Sequence, residues 1–211
     1  MPDAKSIISE KAINLILEFE VGGKASYEKN YKNPEWPKDQ SGITIGVGYD
    51  LGYNTQPDFL KDWQRLDKAS LERLKVCCGL KGVKAKDILD SVKDIVIPWE
   101  MAWDVFQNVT VPKFYKITRT AFPGLENLPA DAQGALVSLV YNRGGSMEDT
   151  PSGLSRLQMR NIRDLVPKKD LKGIAQQIRA MKDLWKGKDT EKGMARRREA
   201  EAALLEKAVK G

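Results

Sequence analysis

One stretch limits what this chain can fold into more than any other. Ser41-Gly42-Ile43-Thr44-Ile45-Gly46-Val47-Gly48-Tyr49-Asp50, running on through Leu51-Gly52-Tyr53, is the one convincing β signal in 211 residues. β-branched Ile43, Thr44, Ile45 and Val47 favour extended backbone, whereas glycines at 42, 46, 48 and 52 favour bends or the close approach of a ligand. In a single extended strand Thr44 and Asp50 would share a face but lie about 20 Å apart, at about 3.3 Å per residue. A reversal around Gly46-Val47-Gly48 brings the two together across a hairpin and leaves room beside them. A purely structural hairpin with a solvated Asp fits the same pattern.

The rest of the chain reads as helix. From about Ser6 to Glu20, Ile13, Ile16 and Leu17 follow helical spacing, and Glu20 falls at the next step of that apolar series. Gly22-Gly23 then stops the helix. Residues 24 to 40 are polar and read as irregular, with breakers at Asn33-Pro34 and Trp36-Pro37. Short helices are expected over 58–68, 70–78 and 84–93, and a stronger one opens at Pro98. Pro112 should break or kink it before 114–121 resumes. Ala130 to Arg143 is the most apolar helix, stopped by Gly144-Gly145. Helices near 154–165 and 171–185 and a last one rich in Arg and Ala follow. The fold class is therefore α+β, mostly α, as one domain: an N-terminal helix and small β lobe to about residue 55, then a helical lobe over 56–211.

Composition excludes several chemistries. With no histidine among 211 residues, Ser-His-Asp and Cys-His devices and HExxH zinc sites are impossible, so acid–base work falls to Asp, Glu, Lys, Tyr or Cys. The only cysteines, Cys77 and Cys78, are adjacent; they are expected to be reduced and partly buried, and two thiols make no metal site. The formal charge of +6 favours an anionic partner without choosing among nucleic acid, teichoic acid and acidic wall polymers. The N-terminus lacks the apolar core of a signal peptide and no run is long enough to span a membrane, so synthesis in the cytoplasm is expected.

Glu20 is the first candidate for chemistry. A carboxyl on an apolar helix face is partly desolvated, which raises its pKa and keeps it protonated near neutrality, as a proton donor to a leaving-group oxygen requires. The competing reading is a helix-end Glu that snorkels into solvent. Asn142, in Tyr141-Asn142-Arg143-Gly144-Gly145, can bond a ligand hydroxyl or belong to the helix cap. Arg196-Arg197-Arg198 is interleaved with Glu199, Glu201 and Glu206, so a helix laced by i,i+4 pairs explains it better than nucleic-acid binding. Trp63, Trp99, Trp103 and Trp185 read as core.

Taken in order, a helix-terminal Glu20, Thr44-Ile45-Gly46-Val47-Gly48, Tyr141-Asn142-Arg143-Gly144, and Gly193-Met194-Ala195-Arg196-Arg197-Arg198-Glu199-Ala200-Glu201 resemble the phage-type lysozymes of glycoside hydrolase family 24. The form Gly-Ile-Thr-Ile-Gly-Val-Gly-Tyr-Asp-Leu-Gly is similar to the pesticin-like branch. The similarity runs from about Ile7 to Leu205 and is weakest over 54–96. It implies a two-lobed lysozyme-like fold and hydrolysis of the β-1,4 bond between N-acetylmuramic acid and N-acetylglucosamine, without metal or organic cofactor. Glu20 would be the general acid, Thr44 would position water, and Asp50 would be the base or stabiliser. Asp39 is the alternative second carboxylate, because shorter phage enzymes carry their Asp ahead of the Thr. Tyr49, Gly48, Asn142 and Arg143 would contact substrate.

The partner implied is peptidoglycan, met by a monomer that binds no nucleic acid and does not insert stably into a membrane. A holin or a secretion machine would deliver it to the wall. Two rivals remain: a non-catalytic wall-binding or phage structural module with a lysozyme fold, and a basic helical nucleic-acid-binding protein.

Overall fold

The computed structural model describes residues 7–150 and 155–208. Ser6 and Leu154, expected to open two of the helices, lie outside the described residues. Among the described residues the protein is mostly helical, with one small two-stranded antiparallel sheet, and is of the mostly α form of the α+β class. Among the described residues no helix is long and apolar enough to cross a membrane. Two compact units are distinguishable: Leu17–Thr110 is one, and residues 7–16 with the described residues from Val111 onward are the other.

Helix α1 (Glu10–Val21), which belongs to the first unit from Leu17 on, gives way at Gly22 and Gly23, with φ of 68° and 84°. A second helix, α2 (Gly23–Asn30), follows at once, where the sequence reads as irregular. Its composition carries no apolar stripe; its one buried residue is Tyr27, whose hydroxyl donates to the Ile97 carbonyl at 2.9 Å. That long-range anchor orders a segment whose local pattern is silent. Strands β1 (Thr44–Ile45) and β2 (Tyr49–Asp50) follow, joined by Gly46-Val47-Gly48.

Three short helices come next: α3 (Gln56–Asp62), α4 (Lys68–Lys75) and α5 (Val83–Ile88). Side-chain caps fix the starts of the first two. Thr55 Oγ1 accepts from the Asp58 amide at 3.3 Å and Asp67 Oδ1 from the Ser70 amide at 2.9 Å. The first ends at Asp62 and not at residue 68 as the spacing predicts, and the Asp67 cap starts the second at Lys68, ahead of the expected residue 70. Helix α6 (Trp99–Val105) begins after Pro98, and a π-helical turn (Phe106–Thr110) precedes α7 (Val111–Ala121). Pro112 has no N–H for the carbonyl four residues back, and the backbone widens ahead of it instead of stopping.

The second unit is built on α8 (Ala130–Arg143), along which Ala132, Ala135, Leu136, Val137, Leu139 and Val140 are all fully buried. Helices α9 (Leu157–Leu165), α10 (Leu171–Ala180) and α11 (Glu191–Ala208) complete it, with α11 packed on both α8 and α10. The Arg- and Glu-rich last helix carries the i,i+4 pair Arg197–Glu201 that its spacing predicts, and carries it buried. Arg197, Arg198 and Glu201 are buried at 4%, 0% and 0% exposure, because this face of α11 lies on Ser138 of α8.

Candidate functional site

The hairpin reverses at Gly46 and Gly48, with φ of 60° and 70°, values that favour glycine. Gly46 is required a second time by packing: a Cβ there would sit 2.7 Å from Cη2 of the buried Trp63 ring. The reversal sets the register Thr44↔Asp50 and Ile45↔Tyr49. Thr44 and Asp50 are thus directly opposite partners, with Cβ atoms on the same face and about 5 Å apart.

A third segment extends this pairing. Glu35 forms an isolated antiparallel bridge with Thr44, its amide donating to the Thr44 carbonyl at 3.1 Å and the Thr44 amide donating back at 2.8 Å. The two faces are chemically distinct. Pro34, Ile43, Ile45 and Tyr49 are buried, whereas the alternating residues Glu35, Thr44 and Asp50 are exposed or half-buried. One row of three polar side chains therefore crosses this small platform in the order Glu35, Thr44, Asp50. Sequence reasoning passed over Glu35 among the prolines, although Pro34-Glu35-Trp36 carries the apolar–polar–apolar alternation of an edge strand, where proline is tolerated.

The Asp50 carboxylate bonds backbone. Both its oxygens accept from the Gly42 amide at 3.1 Å, and Oδ1 also accepts from the Gly52 amide at 2.8 Å. Burial raises its pKa above the ordinary carboxylate value, opposed by those amides and by the nearby Lys81 ammonium. Gly42 allows this approach, since a Cβ on it would fall 2.4 Å from Asp50 Oδ1. The Glu35 carboxyl is shifted in the same direction by desolvation, although the residue as a whole is exposed. No charged neighbour contributes to that shift.

Glu20 is half-buried at the penultimate position of α1, in the same unit as the hairpin. On its helix Ile13 and Ile16 are buried and Leu17 is half-buried, so Glu20 continues a face that grades from core to surface. Gly48 is half-buried in the turn. Tyr49 points to the apolar face; its hydroxyl donates to Asp62 Oδ2 at 2.8 Å and its ring meets Trp63 edge-on at 5.5 Å. Burial and the Asp62 carboxylate push its phenol pKa up. Asp39 is exposed in a turn, with φ of 50°.

Asn142 and Arg143 belong to the other unit. Asn142 is exposed and its Oδ1 accepts from Arg198 Nη2 at 3.1 Å. Arg143 is buried, donates through Nη2 to the Ser155 carbonyl at 2.9 Å, and lies 5.2 Å from the Trp185 ring centre. Burial, with Arg156 and Arg198 nearby, pushes its pKa down to about 10. Trp63 is core, whereas Trp99, Trp103 and Trp185 are half-buried, with Trp99 stacked on Trp103 at 5.5 Å. Both cysteines are free, and burial pushes each thiol up to about 11.

The fold and this platform define a mostly helical α+β protein whose small sheet displays two carboxylates flanking a threonine. Residues 16–121, half of the chain and the whole of the hairpin region, match a family described as Domain of unknown function (DUF8812), and the chain belongs to that family. No curated protein matches the chain.

Proposed function

We propose that this protein is a peptidoglycan-degrading muramidase with a lysozyme-like two-lobed fold, an endolysin or toxin effector. The observation that carries the reading is the reversal at Gly46-Val47-Gly48, which sets Thr44 opposite Asp50, the one geometry in which both can serve a single bond. Glu20 donates a proton to the glycosidic oxygen, Thr44 orients the attacking water, and Asp50 supplies negative charge toward the oxocarbenium-like transition state. The formal charge of +6 favours encounter with an anionic wall polymer. Contact to the sugar from Gly48 belongs to the same reading, as does delivery across the membrane by a holin or a secretion machine.

A digest of purified peptidoglycan, with the products read by mass spectrometry, tests it. Wild type should release glycans with muramic-acid reducing ends, and Glu20→Gln should lower the rate about 10²–10⁴-fold, the usual contribution of a general acid. Equal digestion by the two proteins would reject Glu20 as the acid, and no digestion by wild type would reject the muramidase. One observation favours a second reading, a wall-binding module that keeps the fold without the reaction. The Asp50 carboxylate already accepts from Gly42 and Gly52 and so has a structural task of its own. Wall sedimentation of the protein without any release of reducing ends would select that reading.

A further inference from the structure

The task left open on the platform is removal of a proton from the attacking water, and Asp50 is poorly placed for it. Three acceptor contacts to the Gly42 and Gly52 amides turn its carboxylate along the backbone. Glu35 stands on the other flank of Thr44, on the same face, about 5 Å away by the spacing of directly opposed residues. Two strand spacings, about 10 Å of backbone, separate it from Asp50, with Thr44 between the two.

Glu35 is also held still. Asn33 Nδ2 donates to the Ile95 carbonyl at 2.9 Å and the Ile97 amide to the Lys32 carbonyl at 2.7 Å. On its other side Trp36 Nε1 donates to the Ser41 carbonyl at 3.1 Å. With Pro34 buried and the double bond to Thr44, the backbone of this residue is fixed on both sides while its side chain faces outward. A reactive group on a braced, extended segment is pre-organised in the way that catalysis rewards. Desolvation raises its affinity for a proton, in the direction a base needs.

We infer that Glu35 is the general base of this site, acting on a water shared with the Thr44 hydroxyl. The inference rests on the muramidase reading. In the step it describes, the water oxygen bonds to the anomeric carbon as the bond to the leaving oxygen breaks. One water proton passes to the Glu35 carboxylate, and the Glu20 proton passes to the leaving oxygen. Proton exchange with solvent then resets both carboxyl groups for the next turnover. Water attacks from the face opposite the leaving group, so the product sugar is released with inverted configuration.

The experiment compares wild type with Glu35→Gln, Glu35→Ala and Asp50→Asn on purified peptidoglycan, with and without added azide, and reads the anomer by proton NMR in the first minutes of digestion. Expected are an α-anomeric product from wild type, a loss in kcat of about 10²–10⁴-fold in Glu35→Gln with KM little changed, and recovery by azide of turnover in Glu35→Ala. Azide attacks without needing a base, which a merely structural loss would not mimic. Near-wild-type turnover by Glu35→Gln overturns the inference and leaves the muramidase standing. So does a β-anomeric product, or azide rescue of Asp50→Asn but not of Glu35→Ala. A wild type that releases no reducing ends overturns both. Urea unfolding of each variant checks the fold, which the Gln substitution preserves because the two bonds to Thr44 are made by backbone atoms.

Discussion

Asp50 and Gly42 hold each other across the base of the hairpin: both oxygens of the carboxylate sit 3.1 Å from one amide nitrogen. The pair ties the strand that carries Thr44 to the strand that carries Asp50. Two opposing influences meet there. Burial disfavours the charged carboxylate, whereas the Gly42 and Gly52 amides and Lys81 favour it, and burial is the larger, so the pKa is raised.

The sign of the resulting pH dependence follows from linkage. A raised folded-state pKa means that the folded protein holds this proton more tightly than the unfolded chain does. The contribution is full below the ordinary Asp value of about 3.9 and is lost as pH rises through the raised value. Urea unfolding of wild type and Asp50→Asn between pH 3.5 and pH 7, values spanning about that window, should therefore give a stability difference that shrinks for wild type as pH climbs and then levels. Asp50→Asn should itself cost about 1 kcal/mol, since the NH₂ that replaces Oδ2 cannot accept from the Gly42 amide, while Oδ1 still accepts from Gly42 and Gly52. A wild-type advantage that grows with pH would mean that the amides outweigh burial.

The turn glycines offer a graded test of the same hairpin. Gly46 combines a left-handed backbone with a Cβ position 2.7 Å from the Trp63 ring, whereas Gly79 has a φ of 78° and nothing within 4 Å of its Cβ position. Gly79→Ala should cost only the backbone conformation, about 1 kcal/mol. Gly46→Ala should add overpacking of about 1–3 kcal/mol and lower the urea midpoint further. Equal losses at the two positions would show that the Trp63 ring yields freely.

How much of this was legible follows from where the ordering contacts come from. The hairpin could be read because its determinants are local: β-branched residues set the strands and Gly46 and Gly48 set the bend. The apolar run of α8 was legible for the same reason. Helix Gly23–Asn30 was not, because it is ordered by Tyr27 reaching Ile97, seventy residues along the chain. Glu35 was hidden likewise, since its bridge partner Thr44 lies beyond a turn of unpatterned polar residues. The Arg and Glu residues of α11 were half legible. Their i,i+4 spacing is real, between Arg197 and Glu201, but spacing alone does not say which face of a helix another helix covers.

That covered face makes the sharpest stability prediction. Glu201 is fully buried; its Oε1 accepts from Ser138 Oγ at 2.7 Å, from Arg198 Nη2 at 3.1 Å and from Arg197 Nε at 3.3 Å, and Oε2 lies 3.0 Å from Arg198 Nε. Burial and the neighbouring Arg197 push the Arg198 pKa down to about 10, which still leaves it charged at neutral pH. The carboxylate is therefore the counter-charge to a guanidinium with no exposed surface. Glu201→Ala strands that charge and should cost about 3–5 kcal/mol, the usual penalty for breaking a buried pair from one side. Adding Arg198→Met should recover part of the loss, because the fully buried one of the two guanidiniums that face Glu201 is then gone and the Met side chain fills much of the space, while Arg197 still lacks the Glu201 carboxylate. A double variant no more stable to urea than Glu201→Ala alone would place the cost in the lost packing and the Ser138 bond instead of in the buried charge.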